Sequence, residues 1–288
     1  MTASPILTAT ELAAWTHDPP QIVDCRWRLG KPGASRLLWQ KARIRRAVFL
    51  DLDEDLASIG DGSRGRHPLP DPQVLCDRLA AAGIGGDLPL VVYDDMGGAI
   101  AARFWWMMSW LGGPQTQVLV GGFPAWQAAG LPCDSGKALP VTPARHPILP
   151  MPQEERVVEL DELTRPDHGH LLLDAREQSR FAGEQEPIDA AAGHIPGARC
   201  AEFTGNLGDD GEFLSTDQLR LRFEELGATD GASVVCYCGS GVTACHNLLA
   251  MELAGLPGGR LYVGSWSEWS SNDALPVETG DTDQVDVE

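Results

Sequence analysis

Leu171-Leu172-Leu173-Asp174-Ala175-Arg176, in the second half of this 288-residue chain, answers Ile22-Val23-Asp24-Cys25-Arg26 in the first. Gly193-His194-Ile195-Pro196-Gly197-Ala198 answers the approach to Ala47, where Ala42-Arg43-Ile44-Arg45-Arg46-Ala47 stands. Val234-Val235 answers Val91-Val92, and the segment from Gly264 to Trp269 answers that from Gly121 to Trp126. The last two pairs share one offset, since 234−91 and 264−121 both equal 143. Motifs recurring in the same order and spacing restrict the chain to two copies of one unit. In each copy, short apolar runs alternate with helix-forming stretches, so the expected fold class is α/β: two tandem domains, each a mainly parallel sheet flanked by helices. Residues 1–135 form the first domain in this reading, the Pro-rich stretch 136–153 a linker, and 154–288 the second domain.

Local signals place the elements of the first copy. Helices are expected over 8–15, from Pro72 to Ala82 and from Gly97 to Trp110. Strands are expected over 21–26, 47–53, 88–93 and 118–120, while 28–46 reads as basic and irregular and 59–72 as a loop. The Trp105, Trp106 and Trp110 cluster reads as core.

The second copy holds the stretch with chemistry in it. Val234-Val235-Cys236-Tyr237 reads as a buried strand, Gly239-Ser240-Gly241 breaks it, and Ala244 to Ala254 forms a helix. A cysteine between strand and helix N-terminus, here Cys238, faces unpaired N–H groups and the positive end of the helix dipole. Both favour thiolate over thiol and make Cys238 the candidate nucleophile. Gly239 and Gly241 allow the tight approach that a ring of N–H groups from Gly239, Gly241, Val242 and Thr243 requires. A phosphatase loop of the form C-x5-R would need arginine at position 244; alanine stands there, which opposes phosphoester chemistry. At the repeat offset of 143 the first copy has Asp95 opposite Cys238, so that copy is expected to be inactive and to supply a wall of the cleft.

Composition removes other classes. The net charge of −19 opposes nucleic acid or an anionic membrane as partner, since both require basic surface. Seven cysteines without a repeating spacing suit a reducing, cytoplasmic compartment. No second C-x-C or C-x-x-C completes a metal site around Cys236 and Cys238, so no metal is expected. There is no signal peptide pattern and no run of membrane-span length.

Cys238-Gly239-Ser240-Gly241-Val242-Thr243-Ala244 resembles the active-site loop of the rhodanese superfamily, in its 3-mercaptopyruvate sulfurtransferase branch. The whole repeat, over about residues 5–280, resembles the tandem-domain sulfurtransferases whose first domain is inactive. The resemblance implies transfer of a sulfane sulfur from a small anionic donor, through a persulfide on Cys238, to a thiol, cyanide or thioredoxin-like acceptor, with no cofactor. By the same resemblance Arg180 falls where the branch binds its donor, and Arg176 is either a second donor ligand or a brace. The branch carries a further arginine nine residues on, but this chain has Asp189, which leaves thiosulfate open as the donor. The neutral Gly239 and Ser240 after the cysteine point back to 3-mercaptopyruvate. Ser240, His67 and Asp53 align with that branch's proton-relay triad. His194, inside the intact Gly-His-Ile-Pro-Gly-Ala motif, is expected to brace its loop.

Overall fold

One fully buried central strand organises each half of the repeat. A computed structural model of the protein describes residues 4–59, 63–137, 140–165 and 167–280. Its contacts divide the chain into two units. The first unit comprises Met1–Ser58, Leu69–Glu154 and Asp209–Phe213; the second comprises Ile59–Pro68, Glu155–Gly208 and Leu214–Glu288. The units are therefore not contiguous in sequence: a ten-residue segment of the first half, 59–68, belongs to the second unit.

In the first unit the elements run β1 (Ile6–Leu7), α1 (Ala9–Ala14), β2 (Gln21–Asp24), α2 (Ala34–Lys41), β3 (Arg43–Ile44), β4 (Val48–Phe49), α3 (Pro72–Ala81), β5 (Leu90–Tyr93), α4 (Ala101–Trp110), β6 (Thr116–Leu119), α5 (Gly122–Ala128) and β7 (Cys133–Asp134). The parallel sheet has the order β1-β6-β5-β2-β4, and β3 pairs with β7 in a separate antiparallel ribbon. All four residues of β5 are buried, as expected for a parallel strand covered on both faces. Thr8 opens α1 with a capping box to Glu11, and Asp71 caps α3 ahead of Pro72. Two expectations change. The basic stretch over 28–46 contains α2, and the apolar run over 47–53 gives only the two-residue β4 before the chain turns through Asp51 to Asp55. Asp51 drives that turn by accepting the Asp53 amide N–H at 2.9 Å.

The second unit repeats the plan with β8 (Val157–Val158), α6 (Leu160–Leu163), β9 (Leu171–Asp174), α7 (Gln178–Phe181), β10 (Arg199–Cys200), α8 (Thr216–Glu225), β11 (Val234–Tyr237), α9 (Ala244–Leu253), β12 (Arg260–Tyr262) and α10 (Ser265–Trp269). Its all-parallel sheet has the order β10-β9-β11-β12-β8, the first unit's order with each strand replaced by its counterpart. Val158, Leu172, Phe181, Ile195, Tyr237 and Trp266 are among the side chains that fill one face. On α9 the fully buried His246 and Asn247 are held by Asn206 and by the Ala201 carbonyl.

Register fixes the residue equivalences. Tyr93 pairs with Asp24 and Tyr237 pairs with Asp174. Each tyrosine hydroxyl accepts the amide N–H of an isoleucine, Ile44 or Ile195, at 3.2 Å. The residue after each tyrosine is therefore the counterpart of the other, and Cys238 corresponds to Asp94 and not to Asp95. The backbone agrees, because the Asp94 carbonyl accepts from Phe123 and the Cys238 carbonyl from Trp266. The offset is 144 for α3 and β5, which precede the loop, and 143 for α4, β6 and α5, which follow it, because the first copy's loop is one residue longer, an insertion the repeat spacing conceals. The same equivalence places Arg46 (φ 65°) opposite Gly197 (φ 76°), so the first copy keeps that left-handed turn without glycine.

Asp94 explains why this copy has no nucleophile. Its Oδ1 accepts from the amides of Met96 and Gly98, and its Oδ2 from Ile100 and Ala101, at 2.8–2.9 Å. The loop and helix N–H groups close on a built-in carboxylate that is 1 % exposed. Asp94→Ala strips four buried donors of their acceptor and is expected to destabilise the protein by about 3 kcal/mol or more. Urea denaturation measures this; a change below about 1 kcal/mol would contradict the assigned role.

Candidate functional site

Cys238 follows β11 at the carboxyl end of the central strand, where open parallel sheets present ligands. Gly241 takes φ 73° within the turn, and α9 starts at Ala244 with no side-chain cap. The Cys245 and His246 amides donate to the Val242 and Thr243 carbonyls, and the counterparts of the Ile100 and Ala101 amides that bind Asp94 in the other unit are those of Thr243 and Ala244. Cys238 is 2 % exposed.

The turn at the head of α10 supports this loop from behind. The Cys238 amide donates to Ser265 Oγ at 3.2 Å, and the amides of Trp266 and Ser267 donate to the carbonyls of Cys238 and Gly239 at 2.9 Å each. Ser265 holds φ 55°, an uncommon conformation for a residue with a side chain, while its hydroxyl donates to the Tyr262 carbonyl. Cys245 Sγ lies 3.4 Å from the Gly241 carbonyl and braces the other side.

The segment 63–68 reaches this site through Gly65. A Cβ there would lie 2.5 Å from the Gly264 carbonyl, and φ is 80°, so only glycine permits the approach. The Arg66 amide then donates to Ser267 Oγ at 3.1 Å. His67 Nδ1 comes within 2.7 Å of Ser240 Oγ, with both residues buried. Ser240 and His67, 173 positions apart, are thus brought together. Asp53 lies in the first unit, where its Oδ2 accepts from Trp27 Nε1 at 2.8 Å.

Beside Gly239 lies a cluster of charges. An ideal Cβ on Gly239 would stand 2.8 Å from Arg66 Nη2, 3.6 Å from Asp189 Oδ2 and 3.7 Å from Arg180 Nη2. Arg66 and Arg180 both pair with Asp189, and Arg180 also pairs with Glu186. Arg66 Nε is buried and makes no hydrogen bond among the described residues. Burial pushes the Arg66 guanidinium down from its ordinary value, and the nearby Cys238 sulfur opposes that shift.

Arg180 is thus placed at the loop as expected, with Gly239, Gly241, Val242 and Thr243 forming the loop itself. Arg176 is not available to a donor. Its side chain is 1 % exposed, bonded to both Asp174 oxygens, Glu186 and the Gly193 carbonyl, and lies over the Trp266 ring. It braces β9 against α10, as Arg26 does with Asp24 and Phe123 in the first unit. His194 is also a brace, 2.8 Å from the Phe181 carbonyl and stacked on the Phe181 ring. Sequence reasoning missed Arg66. The signal was there in Asp189, a carboxylate beside Arg180 that left a second cation to be sought, and Arg66 adjoins a residue already singled out. Burial pushes the thiols of Cys25, Cys76, Cys200 and Cys236 up, that of Cys200 to about 12, which leaves them poor nucleophiles.

Comparison with known proteins gives a consistent picture. The family model for the rhodanese-like domain matches twice, over residues 8–129 and 157–272. A probable 3-mercaptopyruvate sulfurtransferase of Pseudomonas aeruginosa is 47% identical over 289 residues, covering 98% of this chain and 100% of that protein. A putative thiosulfate sulfurtransferase of Mycobacterium tuberculosis is 38% identical, covering 96% of this chain and 97% of that one. Among solved structures, the 3-mercaptopyruvate sulfurtransferase from Leishmania major superposes with a TM-score of 0.83 at 35% identity, covering 93% of this chain and 74% of that one.

The strained serine behind the loop gives a test of this geometry. Ser265→Ala keeps the left-handed residue but loses both hydroxyl hydrogen bonds, and should cost about 1–3 kcal/mol. Ser265→Gly loses the same bonds but relieves the backbone, and should be about 1 kcal/mol more stable than the alanine variant. Thermal or urea denaturation of the two side by side reads the difference; the reverse order would contradict the backbone assignment.

Proposed function

The chain belongs to the rhodanese-like family and is a sulfurtransferase, and from that premise we propose that it carries sulfane sulfur from 3-mercaptopyruvate on Cys238 to a thiol or cyanide acceptor. The observation that carries the choice of donor is the 2.7 Å approach of His67 Nδ1 to Ser240 Oγ, two residues from the nucleophile. The Cys238 thiolate attacks the donor sulfur and forms an S–S bond while the C–S bond breaks. The electron pair leaves as the enolate of pyruvate, which must gain a proton to become pyruvate. Ser240 and His67 are suited to deliver it, whereas thiosulfate leaves as sulfite, a stable anion that needs none. Arg180 and Arg66 hold the donor carboxylate, since a guanidinium binds it in a paired geometry.

The resulting persulfide anion sits among the loop amides and the head of α9, as Asp94 does among its own. An acceptor thiolate or cyanide then takes the outer sulfur, and Cys238 leaves as thiolate. Thiosulfate is the second reading, favoured by the name of the mycobacterial relative and by the second guanidinium, Arg66, near the loop. Among the described residues no helix is long and apolar enough to cross a membrane. We place the protein in the cytoplasm, whose reducing conditions suit its seven cysteines without a disulfide framework.

Treatment with 3-mercaptopyruvate should add one sulfur to the intact mass, removable by cyanide, and Cys238→Ser should neither gain it nor turn over. Full activity in that variant would refute the assignment. Ser240→Ala and His67→Ala should each lower turnover of 3-mercaptopyruvate by about 10²-fold, the lower end of general acid–base assistance, and that of thiosulfate far less. The double variant should be little worse than either single one, because the two groups act on one proton path. Equal losses with both donors would mean that they shape the loop without relaying a proton.

A further inference from the structure

Arg66 and Arg180 approach the loop from two different segments of the second unit, and one carboxylate lies between them. Asp189 Oδ1 pairs with Arg66 and Oδ2 with Arg180 at 3.0 Å, and the Asp189 side chain is 3 % exposed. Glu186, also 3 % exposed, takes the remaining face of Arg180 and one nitrogen of Arg176, while Asp174 takes the rest of Arg176. The named charges balance: Arg66, Arg176 and Arg180 against Asp174, Glu186 and Asp189. The cluster is therefore neutral before a donor arrives, even though two guanidinium groups lie within 4 Å of where a Gly239 side chain would start.

The position of Arg66 also explains the glycine after the nucleophile. Its Nη2 would be 2.8 Å from a Cβ at position 239, so a basic side chain there, like any other, would require the end of Arg66 to shift. The cation that such a residue would bring comes instead from Arg66, and Asp189 offsets it. Glu186 is shared between Arg180 and Arg176, so Asp189 is the one carboxylate that lies between the two guanidinium groups, and a singly charged donor can share them with it. A second negative charge would meet Asp189 at close range, in a site where burial weakens screening.

We propose that Asp189 is a specificity-determining residue that sets the Arg66–Arg180 pair to accept singly charged carboxylate donors in preference to doubly charged ones such as thiosulfate. This deepens the sulfurtransferase reading and rests on it. Asp189 touches neither the sulfur being moved nor the proton path. Its effect is expected in the ratio of the two donors, through attraction and KM, and not in the persulfide step itself.

The test compares kcat/KM for thiosulfate and for 3-mercaptopyruvate, with one acceptor, in wild type, Asp189→Asn and Asp189→Glu. Removing the charge should raise the thiosulfate value about tenfold, mostly in KM, with 3-mercaptopyruvate changing less than about threefold. The glutamate variant, which keeps the charge, should hold the wild-type ratio. Because both donors are read on the same preparation, partial unfolding cancels in the ratio. The gain with thiosulfate should also shrink as salt is raised. A ratio unmoved in Asp189→Asn, or moved equally in Asp189→Glu, overturns the proposal while leaving the function intact, provided wild type still acquires sulfur on Cys238. If neither donor loads sulfur onto wild-type Cys238 by intact mass, the sulfurtransferase reading fails and this proposal with it.

Discussion

A helix that starts at the end of a buried strand presents amide groups that need a negative partner, and the organisation of each unit follows from how that need is met. In the first unit Asp94 meets it permanently with four hydrogen bonds. In the second, the equivalent residue is Cys238, and α9 has no side-chain cap of its own. The same scaffold therefore holds a fixed carboxylate in one copy and a cysteine sulfur in the other. In the first copy this arrangement closes four amides on one negative charge.

A cradle of this kind is useful only if the loop cannot relax, and the surrounding bonds are arranged to that end. Ser265, Trp266 and Ser267 bind successive backbone groups of the nucleophile and its neighbour. Arg176, buried on Asp174 and covered by Trp266, fixes the turn after β9 to the helix that supports the loop. Arg26 and Asp24 repeat the arrangement where no chemistry is expected, so this network belongs to the fold and not to the reaction. Buried ion pairs contribute little net stability against their desolvation, and their worth here is in fixing one geometry.

The charges proposed to bind the donor are built differently: Arg180 belongs to α7, and Arg66 to a segment whose neighbours in sequence lie in the other unit. Gly65 allows that segment to meet the Gly264 carbonyl closely, and the approach delivers Arg66 and His67 together. One glycine thereby positions both the cation and the histidine of the proposed site. In the proposal above, Asp189 sets how much of that positive charge a donor meets.

Much of this was legible in the chain. The repeat, the two parallel α/β sheets and the cysteine loop follow from motif order and from residue chemistry that does not depend on long-range packing, whereas the pairing of Ser240 with His67 was implied only by the family resemblance. What the sequence could not decide were questions of register and of proximity between distant segments. Asp95 was expected opposite Cys238 because a constant spacing hides a one-residue insertion, and only the pairing of Tyr93 with Asp24 and Tyr237 with Asp174 moves the equivalence to Asp94. Arg176 was a candidate donor ligand until burial committed each of its nitrogens. Arg66 and Asp189 are 123 residues apart, and their ion pair exists because residues 63–68 belong to the second unit. Local pattern carries element type and the identity of the nucleophile; which charges surround it is set by where the chain crosses, and that is a property of the tertiary structure alone.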